Sequence, residues 1–217
     1  MDLTQFSPSS ALLTVVVLAL APFVAVMVTS FTKLVVVLSL LRNALGLQQV
    51  PPNVVLNGLA LVLSIYVMYP VGTDMADKLK GIDNIGTSTK SMLSAADAAK
   101  EPLREFLVKN SKPVERAFFM RTAQKALKPQ QAAGLTDRDF LVVVPAFTVS
   151  ELSVAFEIGF LIFLPFLVID LVISNILMAM GMMMLSPTTV SMPFKLLLFV
   201  LIDGWVKLTH GLILTYV

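Results

Sequence analysis

The chain contains no cysteine, which excludes disulfides and thiolate metal sites. One histidine, His210, leaves too few imidazoles for a His-based metal centre within a single chain. Charge is scarce: Asp, Glu, Lys and Arg make up 14% of 217 residues, against about 25% in soluble domains. From Ile158 to Val217 there are only four formal charges, at Asp170, Lys195, Asp203 and Lys207. Catalytic signatures are also missing. The chain has no H-E-x-x-H, no Walker A loop, no G-x-S-x-G and no paired intramembrane aspartates, so neither an enzyme nor a cofactor or metal is expected. A net charge of +2 gives no reason to expect a nucleic-acid partner.

What the chain has is apolar length. Hydrophobic residues make up 57% of it, and the mean hydropathy is positive. A bilayer core takes about 20 apolar residues per helix, which divides the apolar runs into about four segments. The expected fold class is an all-α membrane protein, with two apolar helical hairpins flanking a mostly helical polar segment. The expected divisions are residues 1–72 (first hairpin), 73–147 (polar segment) and 148–217 (second hairpin). Residues 72–140 hold 12 of the 16 Lys and Arg and 9 of the 14 Asp and Glu, so the charges are segregated.

Span one is read over residues 11–41, with a kink expected at Pro22. A turn follows at Arg42-Asn43 and Val50-Pro51-Pro52-Asn53, because Pro-Pro excludes continued helix. Span two is read over 54–71, stopping near Pro70 and Gly72. Spans three and four are read over 152–185 and 193–217, turned at Ser186-Pro187-Thr188-Thr189. The opening MDLTQFSPSS carries Asp2 and no basic residue, so the run from Ala11 is expected to be retained rather than cleaved as a leader. Lys33, Arg42 and Lys195 are the basic residues near short loops. They put both hairpin turns in the cytoplasm and the polar segment in the periplasm.

In the polar segment, Ser94-x-x-Asp97 and Thr136-x-x-Asp139 resemble capping-box helix starts. Val114, Ala117, Phe118 and Leu127 form a sparse apolar face, and Gly81 and Gly86 suggest a loop. Thr148-x-x-Glu151 matches a capping box opening span three, which accounts for Glu151 without a function. Glu157 lies deeper, and either bonds to a neighbouring helix or water or has a functional role. Asp170 sits in the middle of an apolar run and must meet a Lys or Arg from another helix or line a wet cavity. Thirteen residues of helix separate it from Glu157, a rise of about 20 Å, so the two cannot form a dyad. Asp203 and Lys207, four apart with the acid first, suggest an intrahelical ion pair. Trp205 and Tyr216 read as interface anchors.

Met178-Ala-Met-Gly-Met-Met-Met184 is the remaining cluster. Methionine is flexible and polarizable and commonly fills helix-packing gaps. Crowded around Gly181, which can end a helix, the side chains of Met180, Met182, Met183 and Met184 could instead form a soft loop projecting into a space.

Several blocks together resemble one family. Thr29-Ser-Phe-Thr-Lys33 leads to Leu38-Ser-Leu-Leu-Arg-Asn-Ala-Leu-Gly46, Gln48-Gln49 and Pro51-Pro52-Asn53. Later come Pro145-Ala-Phe147, Ser150-Glu-Leu152, Phe160 through Asp170, the methionine run, and Pro193-Phe-Lys195 to Leu201-Ile-Asp-Gly-Trp205. In that order they are similar to the FliP/SctR family, the core export-gate membrane proteins of flagella and type III secretion injectisomes. The resemblance implies several copies, typically five, associating with FliQ/SctS and FliR/SctT partners and with large export-gate and switch-type subunits. It implies an entrance for unfolded secreted substrates at the bacterial inner membrane, raised in part above the lipid. It also implies that Met180, Met182, Met183 and Met184 act as a pore gasket. Glu157, Asp170, Lys195, Asp203 and Lys207 are then expected to serve buried pairing or assembly. Flagellar members of that family usually carry a cleavable leader, so the expectation that the first apolar run is retained favours the injectisome branch. Two other readings stay open: a small transporter or proton-coupled channel using Glu157 and Asp170, and a membrane-tethered scaffold binding through residues 75–140.

Overall fold

The computed structural model describes residues 8–80, 89–182 and 184–217, so the loop expected at Gly81 and Gly86 lies outside them. The described residues form nine helices and no strand. These are α1 (Pro8–Val28), α2 (Phe31–Ala44), α3 (Asn53–Lys80), α4 (Thr89–Lys109), α5 (Pro113–Ala126), α6 (Pro129–Ala132), α7 (Phe140–Ala179), α8 (Pro187–Leu201) and α9 (Gly204–Leu214). The protein is a helical membrane protein. Of its helices, α3 and α7 are each long and apolar enough to cross a bilayer, and two bent pairs, α1 with α2 and α8 with α9, bring the number to four.

The bends correct spans one and four. The sharp turn in span one is at Thr29–Ser30, 79° between residues 22–28 and 31–44, and α1 continues through Pro22. A break frees backbone carbonyls that need new donors. Thr32 Oγ1 donates to Val26 O (2.9 Å), and Thr148 Oγ1 lies 3.3 Å from Met27 O. In span four the bend is 62°. Asp203 adopts the left-handed region (φ 52°), which Asp tolerates better than most residues. A Cβ on Gly204 would overlap the Phe199 ring, so only glycine lets that ring lie over the corner.

Span two does not stop at Pro70 or Gly72. Helix α3 runs on to Lys80, with Thr73 Oγ1 donating to Pro70 O at 2.7 Å. Ser94 starts no helix, since it lies inside α4. Thr136 starts no helix either, since α7 begins at Phe140 with Asp139 at its N-cap, and the Thr136–Asp139 bond closes the turn before it. Asp139 Oδ2 accepts from Thr136 N at 2.6 Å, immediately before α7.

Helix α7 is the spine: its 40 residues extend about 60 Å, and it contributes to every buried cluster. Leu34, Val37 and Leu38 of α2 meet Leu56 of α3, Ala155 of α7 and Leu212 of α9. Phe106 of α4 and Val143 and Phe147 of α7 pack with Tyr216 beyond α9. Leu41 and Ala44 of α2 join Phe166 of α7 and Phe199 of α8. At Gly159 of α7 there is no room for a side chain, since a Cβ there would run into Leu40 of α2. The accessible surface is 14298 Å² for 23.6 kDa, against about 9,800 Å² for a compact monomer of that mass. Much of the excess is apolar side chain on α1, α3 and α7. Such a surface must be covered by lipid or protein.

Candidate functional site

Three features lie along α7. The first is the turn into α8. Gly181 has φ +72°; its N–H bonds to Met178 O (3.0 Å) and the Met182 N–H bonds to Leu177 O (2.9 Å). Those two bonds make a Schellman motif, the C-cap that needs a residue in the left-handed region. Gly46 (φ +79°) ends α2 in the same way, with Gly46 N to Asn43 O and Leu47 N to Arg42 O. Met180, Met182 and Met184 are all exposed on the α7–α8 turn, Met184 fully. Met183 lies outside the described residues.

The second feature holds the α7–α8 hairpin together below that turn. Asp170 of α7 lies 2.6 Å from Lys195 Nζ of α8 and accepts from Ser191 Oγ at 2.5 Å. Lys195, 3% exposed, also donates to Ala44 O (3.2 Å), the last carbonyl of α2. A cation at the C-terminal end of a helix is favoured by the dipole and by the unpaired carbonyls there. One ammonium therefore joins three helices. It also brings the end of α2 to the same end of α7 as the methionine turn, ten residues from Met180.

The third lies farther down α7. Lys33 Nζ is 3.3 Å from Glu151 Oε1, with the side chains 3% and 2% exposed. Tyr216 Oη donates to Glu151 Oε2, and Lys33 sits over the Tyr216 ring, 3.6 Å from its centroid. Ser30 Oγ bonds to Ser64 Oγ (3.1 Å) beside this cluster, and Lys109 Nζ holds Tyr216 O (3.3 Å).

This cluster overturns two sequence expectations. Thr148 and Glu151 do not open a helix: both lie inside α7, where Thr148 Oγ1 donates to Val144 O (2.9 Å) and lies 3.3 Å from Met27 O at the end of α1. Tyr216 is buried rather than an interface anchor. Lys33 and Glu151 were visible as charges at apolar depth, yet no periodicity links positions so far apart. The intrahelical pair expected of Asp203 and Lys207 is not formed either. Asp203 sits in the bend with α9 starting after it, and among the described residues neither side chain makes an ion pair. Glu157 is exposed on α7, away from Asp170, and likewise makes no ion pair among the described residues. Trp205 packs edge-on against Phe199, with centroids 5.4 Å apart.

Among the described residues no group of His, Asp or Glu could hold a metal ion. The arrangement is two ion pairs, one buried and one partly buried, bracing a helical scaffold that displays a soft turn. The FliP family model matches residues 12–212. This chain belongs to the FliP family. It is 53% identical to the hypersensitivity response secretion protein HrcR of Ralstonia nicotianae, over 96% of this chain and 97% of that protein. It is 54% identical to the Yop proteins translocation protein R of Yersinia pestis over 92% of each chain. The virulence protein YscR of Salmonella typhimurium is 49% identical over 87% of each. The matched segment contains every charged residue of the two ion pairs and the whole methionine turn, so this FliP-family chain carries them inside its family core.

Proposed function

We propose that this chain is a core subunit of a type III secretion export gate at the bacterial inner membrane. Several copies, five on the family's pattern, surround a path for unfolded secreted proteins. Partners of the FliQ/SctS and FliR/SctT kind and the larger export-gate and switch-type subunits complete the assembly. The observation that carries this reading is the family match over residues 12–212, joined to a chain with so much uncovered apolar surface.

The turn at Gly181 acts as the gasket. Its exposed thioethers have no partner to satisfy and deform without losing hydrogen bonds, which suits a seal that must open for unlike segments of polypeptide. The ion pairs below it keep the scaffold rigid while the turn stays compliant. Both tight turns face the cytoplasm and the polar segment faces the periplasm. A single α-helix of about 60 Å is twice the hydrocarbon thickness of about 30 Å, which supports an assembly raised above the bilayer plane. The relatives named for hypersensitivity response and Yop secretion favour the injectisome branch.

The test places a photo-crosslinking residue at Met184 in cells with a secretion substrate stalled partway through export. A crosslink to the stalled chain is expected. Crosslinks only to lipid or to sister copies, with export still active, would return the methionines to ordinary packing.

A further inference from the structure

The two apolar regions, residues 8–72 and 140–217, contain four cations and four carboxylates. Lys33 is paired with Glu151 and Lys195 with Asp170. Arg42 is tied to its own loop, donating to Asn53 Oδ1 at 2.6 Å and to Pro51 O. That leaves Lys207, with Glu157 and Asp203. Asp203 sits at the open α8–α9 corner. Glu157 does not. It stands exposed on the outer ridge of α7 between Phe156 and Phe160, which are themselves 59% and 65% exposed.

Lipid is a poor cover for that ridge. A carboxylate held against hydrocarbon is strongly disfavoured unless a cation or water reaches it. A protein surface that is apolar but offers one ammonium suits it better. This chain has such a surface. A groove of about 350 Å³ runs between α7 and α9, lined by Leu161, Ile162, Leu208 and Gly211, and its one charged lining residue is Lys207. A Cβ on Gly211 would meet nothing within 4 Å, so the groove is open there for lack of a side chain.

We infer that the α7 ridge of one copy seats in the α7–α9 groove of the next, with Glu157 of one copy paired to Lys207 of its neighbour. The inference rests on the self-assembly proposed above and deepens it by naming the surface and the charge pair. The contact is heterologous, ridge into groove, so it repeats from copy to copy around a ring and covers Glu157 at each such contact. An interior ion pair on an otherwise apolar contact also sets its register, since sliding one helical turn would strand both charges.

The absence of cysteine makes the experiment clean. Full-length copies carrying Glu157→Cys under one tag and Lys207→Cys under another are produced together in the bacterial membrane with the secretion apparatus. They are then treated with a short thiol-reactive cross-linker. A product carrying both tags is expected, and none from either variant alone. In parallel, Glu157→Lys is expected to reduce the oligomer recovered in mild detergent by roughly tenfold or more, and adding Lys207→Glu in the same chain to restore it. Gly211→Leu, which fills the groove without touching either charge, is expected to reduce it as well. An oligomer that forms normally but gives no mixed crosslink and no charge-swap rescue would overturn the pairing and leave self-assembly standing. Failure of the unaltered chain to form any oligomer would overturn the self-assembly reading itself.

Discussion

Lys33 and Glu151 meet at 3.3 Å in a site that water barely reaches, joining the start of α2 to the middle of α7. Tyr216 closes the site by donating to the same carboxylate and lying under the ammonium. Two bent helices, the spine and the chain beyond α9 are thereby fixed to one another.

Removing one partner strands the other. Glu151→Ala leaves Lys33 buried without a counter-charge, which costs about 3–5 kcal/mol. The expected result is loss of folded protein in detergent, read by thermal melting. Lys33→Met combined with Glu151→Leu should melt above either single variant. A double variant as unstable as Glu151→Ala would mean that the pair is not what the buried site depends on.

Asp170→Ala should be more damaging to assembly than its partial exposure suggests. It leaves Lys195 facing only Ala44 O, and it removes the ion pair that ties α7 to α8 and, through Lys195, to the end of α2. Blue-native electrophoresis of membranes should show the assembled band lost. Assembly at the unaltered level would show that the hairpin is held by packing alone.

The methionine turn should behave in the opposite way. Met182→Ala with Met184→Ala removes exposed side chains and no hydrogen bond, so assembly should be retained while the closed gate leaks ions. Conductance or dye entry in cells reads the leak. An assembly defect with an ion-tight gate would exclude the gasket.

Gly181→Val tests the turn itself. A β-branched residue at φ +72° costs about 1–2 kcal/mol and opposes the Schellman geometry. Loss of secretion with the oligomer preserved is the expected outcome, because the strain falls on the displayed loop and not on the ion pairs.

Gly159→Val tests the α2–α7 approach, where an added side chain runs into Leu40. Overpacking of this kind costs about 1–3 kcal/mol. Here the melting temperature and the oligomer yield should fall together.

The helices were largely legible in the sequence, because apolar runs and Gly or Pro punctuation are local signals. Gly46 and Gly181 each end a helix where such residues are expected to, and the segregated charge marked the polar segment. The bends were not legible. Pro22 offered a strong local reason for a kink, yet the break lies at Thr29–Ser30, where Thr32 donates back across it to Val26 O and Thr148 of the distant α7 reaches Met27 O. Pro70 and Gly72 offered reasons to stop α3, which its neighbours overrode. Asp203 and Lys207 had ion-pair spacing, but that spacing has meaning only inside one continuous helix, and the chain turns between α8 and α9.

The sequence by itself determined that this is a helical membrane chain of the FliP family, with a glycine-centred methionine turn and few charges in its apolar regions. Each of those properties is carried by composition or by residues a few positions apart. Only the tertiary structure decided which charges meet. Glu151 looked like a helix cap, and it is the buried partner of Lys33 and Tyr216. Lys207 looked like the partner of Asp203, and it faces a groove. The physical reason is that a charge held away from water takes whichever counter-charge the packing delivers, and packing joins residues that no sequence period relates.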